Sequence, residues 1–136
     1  MPVYGKRSNE VRDTLHPHLK RVFDQVLKHY DHALLEGHRS EETHKKYVKQ
    51  KRTRVPYSKT MHRFNPSRAV DATPWPIPDK WGDISWKERA KFYHFAGIVK
   101  ATAFDMGINI RWGGDWNQNN DFDDQTFDDL VHFELR

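Results

Sequence analysis

Residues 68–73 are fenced on both sides by residues that allow them little except a short extended strand. On one side, Asn65-Pro66-Ser67 reads as a turn, because Pro66 fixes its own backbone dihedral and pushes Asn65 out of the helical region. On the other, Pro74, Pro76 and Pro78 remove the amide donors that a continuing strand needs. The strand so delimited carries a carboxylate in Ala69-Val70-Asp71, and the turn folds His62 back toward it. Imidazole nitrogen and carboxylate oxygen are both good zinc ligands. A third ligand must come from far away in the chain. The closing Val131-His132-Phe133-Glu134-Leu135 offers His132, with Asp129 three residues before it. By spacing alone, a surface histidine and a strand-end acid describe His62 and Asp71 better than a metal site does.

The rest of the chain alternates helix and strand around this segment. Ser8 is placed to cap a helix in which Val11, Leu15, Leu19, Val22, Phe23, Val26, Leu27 and Tyr30 recur at helical spacing. Pro17 inside that pattern implies a break or a late start near His16. Residues 32–36 form a short strand closed by Gly37, and Ser40 caps a second helix from Glu41 to about Lys51. Residues 52–66 are basic and lack apolar period, which makes them a loop delivering His62. Ser85-Trp86-Lys87-Glu88 is a capping box opening the longest helix. That helix sets Phe92, Phe95, Ala96, Val99, Ala103 and Met106 on one face and ends at Gly107 in the left-handed cap position. Residues 108–112 alternate as a strand turned by Gly113-Gly114, and 131–135 form the last strand. The order predicts an α+β fold, a small and mostly antiparallel sheet packed with helices.

Composition narrows the chemistry. A chain of 136 residues is expected to be one domain, 1–136, in which five Trp, eight Phe and five Tyr supply bulk despite a hydrophobic share of 36%. The absence of cysteine excludes a disulfide framework and a thiolate zinc site, so any zinc rests on His and carboxylate. No stretch approaches the ~20 apolar residues of a membrane span, and the first residues lack the apolar run of a signal peptide. The net charge of +4 conceals a basic half, +9 over residues 1–68, and an acidic half, −5 over residues 69–136. Nucleic acid, anionic wall polymers and outer-membrane lipid all fit a basic half. No nucleic-acid motif accompanies the charge, so Lys45-Lys46 and Lys49-Gln50-Lys51-Arg52 read first as a solvated helix face.

Three blocks carry a resemblance: Ser58-Lys-x-x-His62, Pro66-Ser67-x-Ala69-Val70-Asp71, and Asp129-x-x-His132-Phe133-Glu134-Leu135. Together they resemble the M15 family of zinc peptidases, and more narrowly the phage endolysins that act as L-alanyl-D-glutamate peptidases. The likeness runs from the first helix to the C-terminus. Many relatives have a shorter His-to-Asp interval with Gly in the turn, where this chain has Pro66-Ser67. Phe64, at the shorter spacing, cannot bind metal, which leaves His62 as first ligand. The resemblance implies a Hedgehog/D-Ala-D-Ala peptidase-like fold, zinc on His62, Asp71 and His132, and Asp129 as general base. It also matches Arg39 to an arginine that follows the first strand in relatives, and Ser58 to a serine near the metal.

Two neutral ligands and one anionic one leave a Lewis-acidic zinc with a fourth position for water. Asp129, on a turn entering the last strand, can stand beside the metal as base. Asp128 misses the spacing and reads as an exposed turn acid. Glu134 shares a strand face with His132 and either orients it or makes a surface pair. Arg39 offers a planar fork to a substrate carboxylate or oxyanion, or else a salt bridge at a helix start. His16, His18, His29, His32, His38, His44 and His94 are expected in solvent. Trp75, Trp81, Trp112 and Trp116 gather near strand ends and are expected in the core, with Trp116 the exception that suits substrate. Asp115, Asn117, Asn119, Asp121 and Asp123 alternate like the first nine positions of a calcium loop, with Asn120 where Gly and Thr126 where Glu is usual. A solvated acidic loop reads equally well there; calcium would order the segment leading into Asp129.

The expected function is a zinc peptidase that cleaves the L-Ala–D-Glu bond of peptidoglycan stem peptides. It is expected to act as a monomer, held in the host cytoplasm until a holin releases it to the periplasm and cell wall. The last strand ends one residue before Arg136, leaving no room after it for a separate wall-binding module. Metal ligands do not specify the scissile bond, so a D,D- or L,D-carboxypeptidase of the same fold is the alternative. A non-catalytic wall-binding domain is opposed by the complete ligand set, and a nucleic-acid binder by the missing motif.

Overall fold

The computed structural model describes residues 2–79, 85–124 and 128–136. Its four strands are β1 (His32–Glu36), β2 (Ala69–Pro74), β3 (Ile110–Trp112) and β4 (His132–Leu135). They form one antiparallel sheet in the order β1-β2-β4-β3, which puts the proline-fenced strand and the C-terminal strand side by side at its centre. Four helices accompany it: α1 (Lys6–Asp13), α2 (Pro17–Leu27), α3 (Glu41–Lys49) and α4 (Trp86–Asp105).

The period of two divides the sheet into a dry face and a charged one. Leu34, Val70, Ala72, Phe133, Leu135, Ile110 and Trp112 belong to the core. They meet Leu19, Val22, Phe23 and Val26 of α2 and Phe92, Phe95, Ala96 and Val99 of α4. Phe133 stands edge-on to Phe23 at 5.5 Å and to Phe95 at 5.7 Å between ring centroids. Each such ring contributes roughly 1.5–3 kcal/mol by leaving water. Asp71, His132, Arg111 and Glu134 occupy the intervening positions and so share the opposite face, with Asp71 opposite His132 and Arg111 opposite Glu134. Glu36 joins them through a bulge. The register slips between Leu34 and Glu36, so Leu34 still faces Ala72 while Glu36 faces Asp71. Without the extra residue, alternation would send Glu36 into the core.

The structure corrects several expectations from the sequence. The first helical pattern divides in two, with Pro17 as the first residue of α2 and His16 as its cap, whose Nδ1 accepts from His18 N at 3.0 Å. Ser8 caps nothing, since α1 starts at Lys6. It is buried, and its hydroxyl oxygen accepts from Leu34 N at 3.0 Å, which satisfies an amide on the outer edge of the sheet. His32 and His44 are buried rather than solvated. His32 donates from Nδ1 to Tyr30 O at 2.9 Å and pairs through Nε2 with the Tyr4 hydroxyl at 2.6 Å. His44 donates from Nε2 to Val55 O at 2.6 Å and accepts from Arg39 Nη1 at 3.1 Å. Ser40, Ser85 and Gly107 (φ +70°) cap their helices as predicted, Ser85 by accepting from Glu88 N at 3.3 Å, while the Glu88 carboxylate takes Lys91 Nζ at 3.2 Å. Among the described residues, no helix is long and apolar enough to cross a membrane.

Candidate metal centre and active site

Two strands and one loop supply three donor atoms. Asp71 and His132 face each other across the β2–β4 pairing. His62 arrives on a short 3-10 turn, Met61–Arg63, whose preceding Thr60 accepts from His62 N at 3.3 Å. The chain after β1 clamps this histidine at two points. Arg39 N donates to His62 O at 2.8 Å, and His62 Nδ1 donates to Gly37 O at 2.6 Å. Gly37 can hold that place only without a side chain, because a Cβ there would lie 2.3 Å from Thr14 Oγ1 and 2.8 Å from Leu15 Cδ2.

With Nδ1 engaged, His62 aims Nε2 inward. That atom is buried, makes no hydrogen bond, and lies 3.3 Å from Asp71 Oδ1. His132 reaches the same oxygen with Nδ1, also at 3.3 Å, while its Nε2 donates to Glu134 Oε1 at 2.9 Å. The donor atoms of His62, Asp71 and His132 all lie within 4.8 Å of one another, the single such group among the described residues. Two zinc bonds of ~2.0–2.1 Å at the tetrahedral angle place their donors about 3.3–3.4 Å apart. Both measured separations match that edge, so the residues fit the ion. Asp71 carries the only anionic donor, and each histidine has its remote nitrogen fixed by an acceptor, the arrangement that sets a ligand's tautomer.

Glu134, buried at 5% exposure, is itself fixed. It accepts from Arg111 Nη2 at 3.0 Å, and Arg111 also donates to Trp116 O at 3.2 Å. The Trp116 ring lies 5.5 Å from the His132 ring, and the Arg111 guanidinium lies 5.3 Å from Trp116. Arg111 thus braces His132 by two routes. The alternation Ile110-Arg111-Trp112 indicated that Arg111 faces away from the core; its partner followed only from the β3–β4 register.

Asp129 stands at the head of β4. Its N–H donates to Gly113 O at 2.7 Å and its carbonyl accepts from His132 N at 3.1 Å. A Cβ on Gly113 would lie 2.2 Å from Asp129 O, so the contact requires glycine. Burial, reinforced by the Asp71 charge, pushes the Asp129 carboxyl up to about 6. Burial works the same way on Asp71, but His62 and His132 outweigh it and hold that carboxyl well below the usual range. His132 is opposed by burial, yet its bonds to Asp71 and Glu134 push it up to about 10 in the metal-free protein. An imidazolium there stands in for the charge of a cation.

Other predicted residues fall elsewhere. Arg39 turns its fork to Glu36, donating from Nε at 2.9 Å and from Nη2 to the same oxygen, with Nη1 on His44. Arg39 thus forms the salt bridge that was its second reading. Ser58 is exposed in the 3-10 turn Tyr57–Lys59. Asp128 is bound by Arg89 of α4 at 2.5 Å instead of hanging free. Trp112 is core as expected and Trp75 is 54% exposed, while Trp81 lies outside the described residues. In the acidic loop, Asp115 is buried, accepts from Asn119 N and Asn120 N at 3.3 and 2.9 Å, and lies 3.6 Å from Lys100 Nζ. Asn117, Asn119, Asp121 and Asp123 are exposed; among the described residues the carboxylates of Asp115, Asp121 and Asp123 do not form a common metal-binding group, and Thr126 lies outside the described residues.

A sheet that presents His, Asp and His donors with a further acid beside them has the layout of a metallohydrolase. The chain matches the phage L-alanyl-D-glutamate peptidase family over residues 3–136 and belongs to that family. It is 26% identical over 127 residues to the L-alanyl-D-glutamate peptidase of Escherichia phage T5, covering 90% of this chain and 87% of the relative. The crystal structure of the Serratia marcescens L-Ala D-Glu endopeptidase ChiX shares the fold, with a TM-score of 0.70 and 26% identity over 98% of this chain and 89% of that one. The chain is a peptidase of the phage endolysin type.

Proposed function

We propose that the chain hydrolyses the L-Ala–D-Glu bond of peptidoglycan stem peptides with a zinc ion held by His62, Asp71 and His132. The observation that carries this reading is the buried His62 Nε2, aimed at Asp71 without a hydrogen bond at a tetrahedral-edge distance. Zinc in that position supplies Lewis acidity, for water activation and for polarising the scissile carbonyl. Asp129 takes the proton of the attacking water and passes it to the departing D-Glu nitrogen. A carboxyl near 6 suits both halves of that task, being ionised at neutral pH yet basic enough to hold a proton briefly. Trp116, against His132, forms an aromatic wall for the peptide. Arg39 serves by neutralising Glu36 beside Asp71 and by holding the His62 backbone.

In this reading the protein is one domain acting as a monomer, made in the host cytoplasm and reaching the wall after a holin opens the membrane. A calcium site is supported by the sequence alternation of Asp115, Asn117, Asn119, Asp121 and Asp123 alone, and Lys100 already stands beside Asp115. The test of function is mass spectrometry of purified peptidoglycan digested by the zinc-loaded protein. New amino termini on D-Glu are expected; release of D-Ala would establish the carboxypeptidase instead.

A further inference from the structure

The basic run after α3 reads in the sequence as a solvated surface, yet one of its residues lines a cleft that also reaches Asp71. That cleft, about 650 Å³, counts Asp71, Gly37, Val131, Glu36, Tyr47 and Arg52 among its lining residues. Arg52 is placed there by the way α3 ends. Lys51 adopts the left-handed conformation, φ +58°, and the chain reverses so that Arg52 N donates to Tyr47 O at 2.8 Å. Glycine usually occupies such a position, since a side chain strains it. The reversal brings the Arg52 guanidinium 3.9 Å from the Tyr47 ring centroid.

The acid nearest to this assembly is already satisfied. Tyr47 donates its hydroxyl to Glu36 Oε2 at 2.8 Å, and Arg39 holds the other oxygen. Among the described residues Arg52 forms no ion pair. A guanidinium stacked on an aromatic ring keeps its edge for a planar, bidentate anion, and carboxylate is the anion of matching shape.

Resting on the function proposed above, we infer that Arg52 is the subsite for a free carboxylate of the stem peptide on the D-Glu side of the scissile bond. The chemistry of the substrate fixes the side. The carboxyl of L-Ala is consumed in the bond that breaks. D-Glu has two carboxyls, of which one continues the stem and the other is free, and later residues add more. Arg52 would therefore set the direction of the stem, with D-Glu and the later stem residues running from the metal centre toward Tyr47.

Three synthetic stem peptides test this: one with all carboxylates free, one with the free D-Glu carboxylate amidated, and one amidated only beyond D-Glu. The wild type is expected to lose on the order of 10- to 100-fold in kcat/KM on one amidated peptide, which identifies the carboxylate recognised. In Arg52→Gln, which retains a side chain over Tyr47, the ratio of acid to amide should fall to about one. Binding of the corresponding D-Glu-terminated product peptides to both proteins needs no turnover and decides the subsite even if the cleavage assignment fails. A wild type indifferent to every amidation, in cleavage and in product binding, overturns the proposal, as does an Arg52→Gln protein that keeps the full preference.

Discussion

Replacing Glu134 by Gln tests whether the proposed zinc ligand His132 is held from behind. Glu134 is 5% exposed and takes a hydrogen bond from His132 Nε2 at 2.9 Å and another from Arg111 Nη2 at 3.0 Å, one on each oxygen. A Gln has one acceptor oxygen, so turning it to His132 points its NH₂ group at the Arg111 donors. One charge-assisted hydrogen bond is lost and a donor faces a donor, at a cost of about 1.5–3 kcal/mol. If most of that strain reaches His132, its Nδ1 is no longer held toward Asp71, and zinc affinity should fall by roughly 10- to 100-fold, the usual scale for such support. Competition against a chromophoric chelator gives the Kd, and thermal melting of the metal-free protein confirms that the variant is folded. Unchanged zinc affinity in a folded Glu134→Gln protein would show that His132 is held by its strand alone.

Asp129→Asn should keep zinc while losing activity by about 10²–10⁴-fold, the usual scale for removal of a general base; loss of zinc in that variant would make Asp129 a ligand. Arg39→Met should lower stability by about 2–4 kcal/mol, measured by urea denaturation, because it leaves the Glu36 carboxylate without its cation in a partly buried site. A stable Arg39→Met protein with activity abolished would return Arg39 to the substrate. Metal binding should expel a proton, since His132 is raised to about 10 without metal and its Nδ1 must be bare to bind. Zinc affinity should therefore strengthen with rising pH across the neutral range, and calorimetry in buffers of different ionisation enthalpy should detect the released proton. The same shift stabilises the metal-free fold in full below the unfolded histidine value of ~6.5, and the gain is lost as pH rises through about 10. The depressed Asp71 contributes the opposite way, present above ~4 and lost in acid. Melting of the chelator-treated protein across pH would reveal both limbs; a Tm still rising above pH 8 contradicts the His132 assignment.

What could be read from the chain was whatever depends on neighbours in sequence. Prolines bracketed β2, Ser40 and Ser85 announced helix starts, and the motif blocks around His62, Asp71 and His132 carried the resemblance that implied a zinc site. The misreadings share one cause, contact between distant segments. Ser8 looks like a cap until the outer edge of β1 presents it with the Leu34 amide. Glu36 would point into the core by simple alternation, and only the bulge against β2 brings it beside Asp71. Arg39 then follows Glu36, which no local pattern foretells. Likewise His32 and His44 are polar residues in a basic half; His32 is met by Tyr4, 28 residues away, and His44 by Val55, across the loop that follows α3. Arg52 illustrates the converse, a residue in a charge run that a single left-handed turn places in the cleft.

Anomalous diffraction at the zinc edge from crystals of the zinc-loaded protein shows whether three side chains hold one zinc, and through which atoms. One strong peak is expected, bonded to His62 Nε2, an Asp71 carboxylate oxygen and His132 Nδ1, with Glu134 still on His132 Nε2. A peak located elsewhere, or zinc bound through His132 Nε2 with Glu134 displaced, would contradict it.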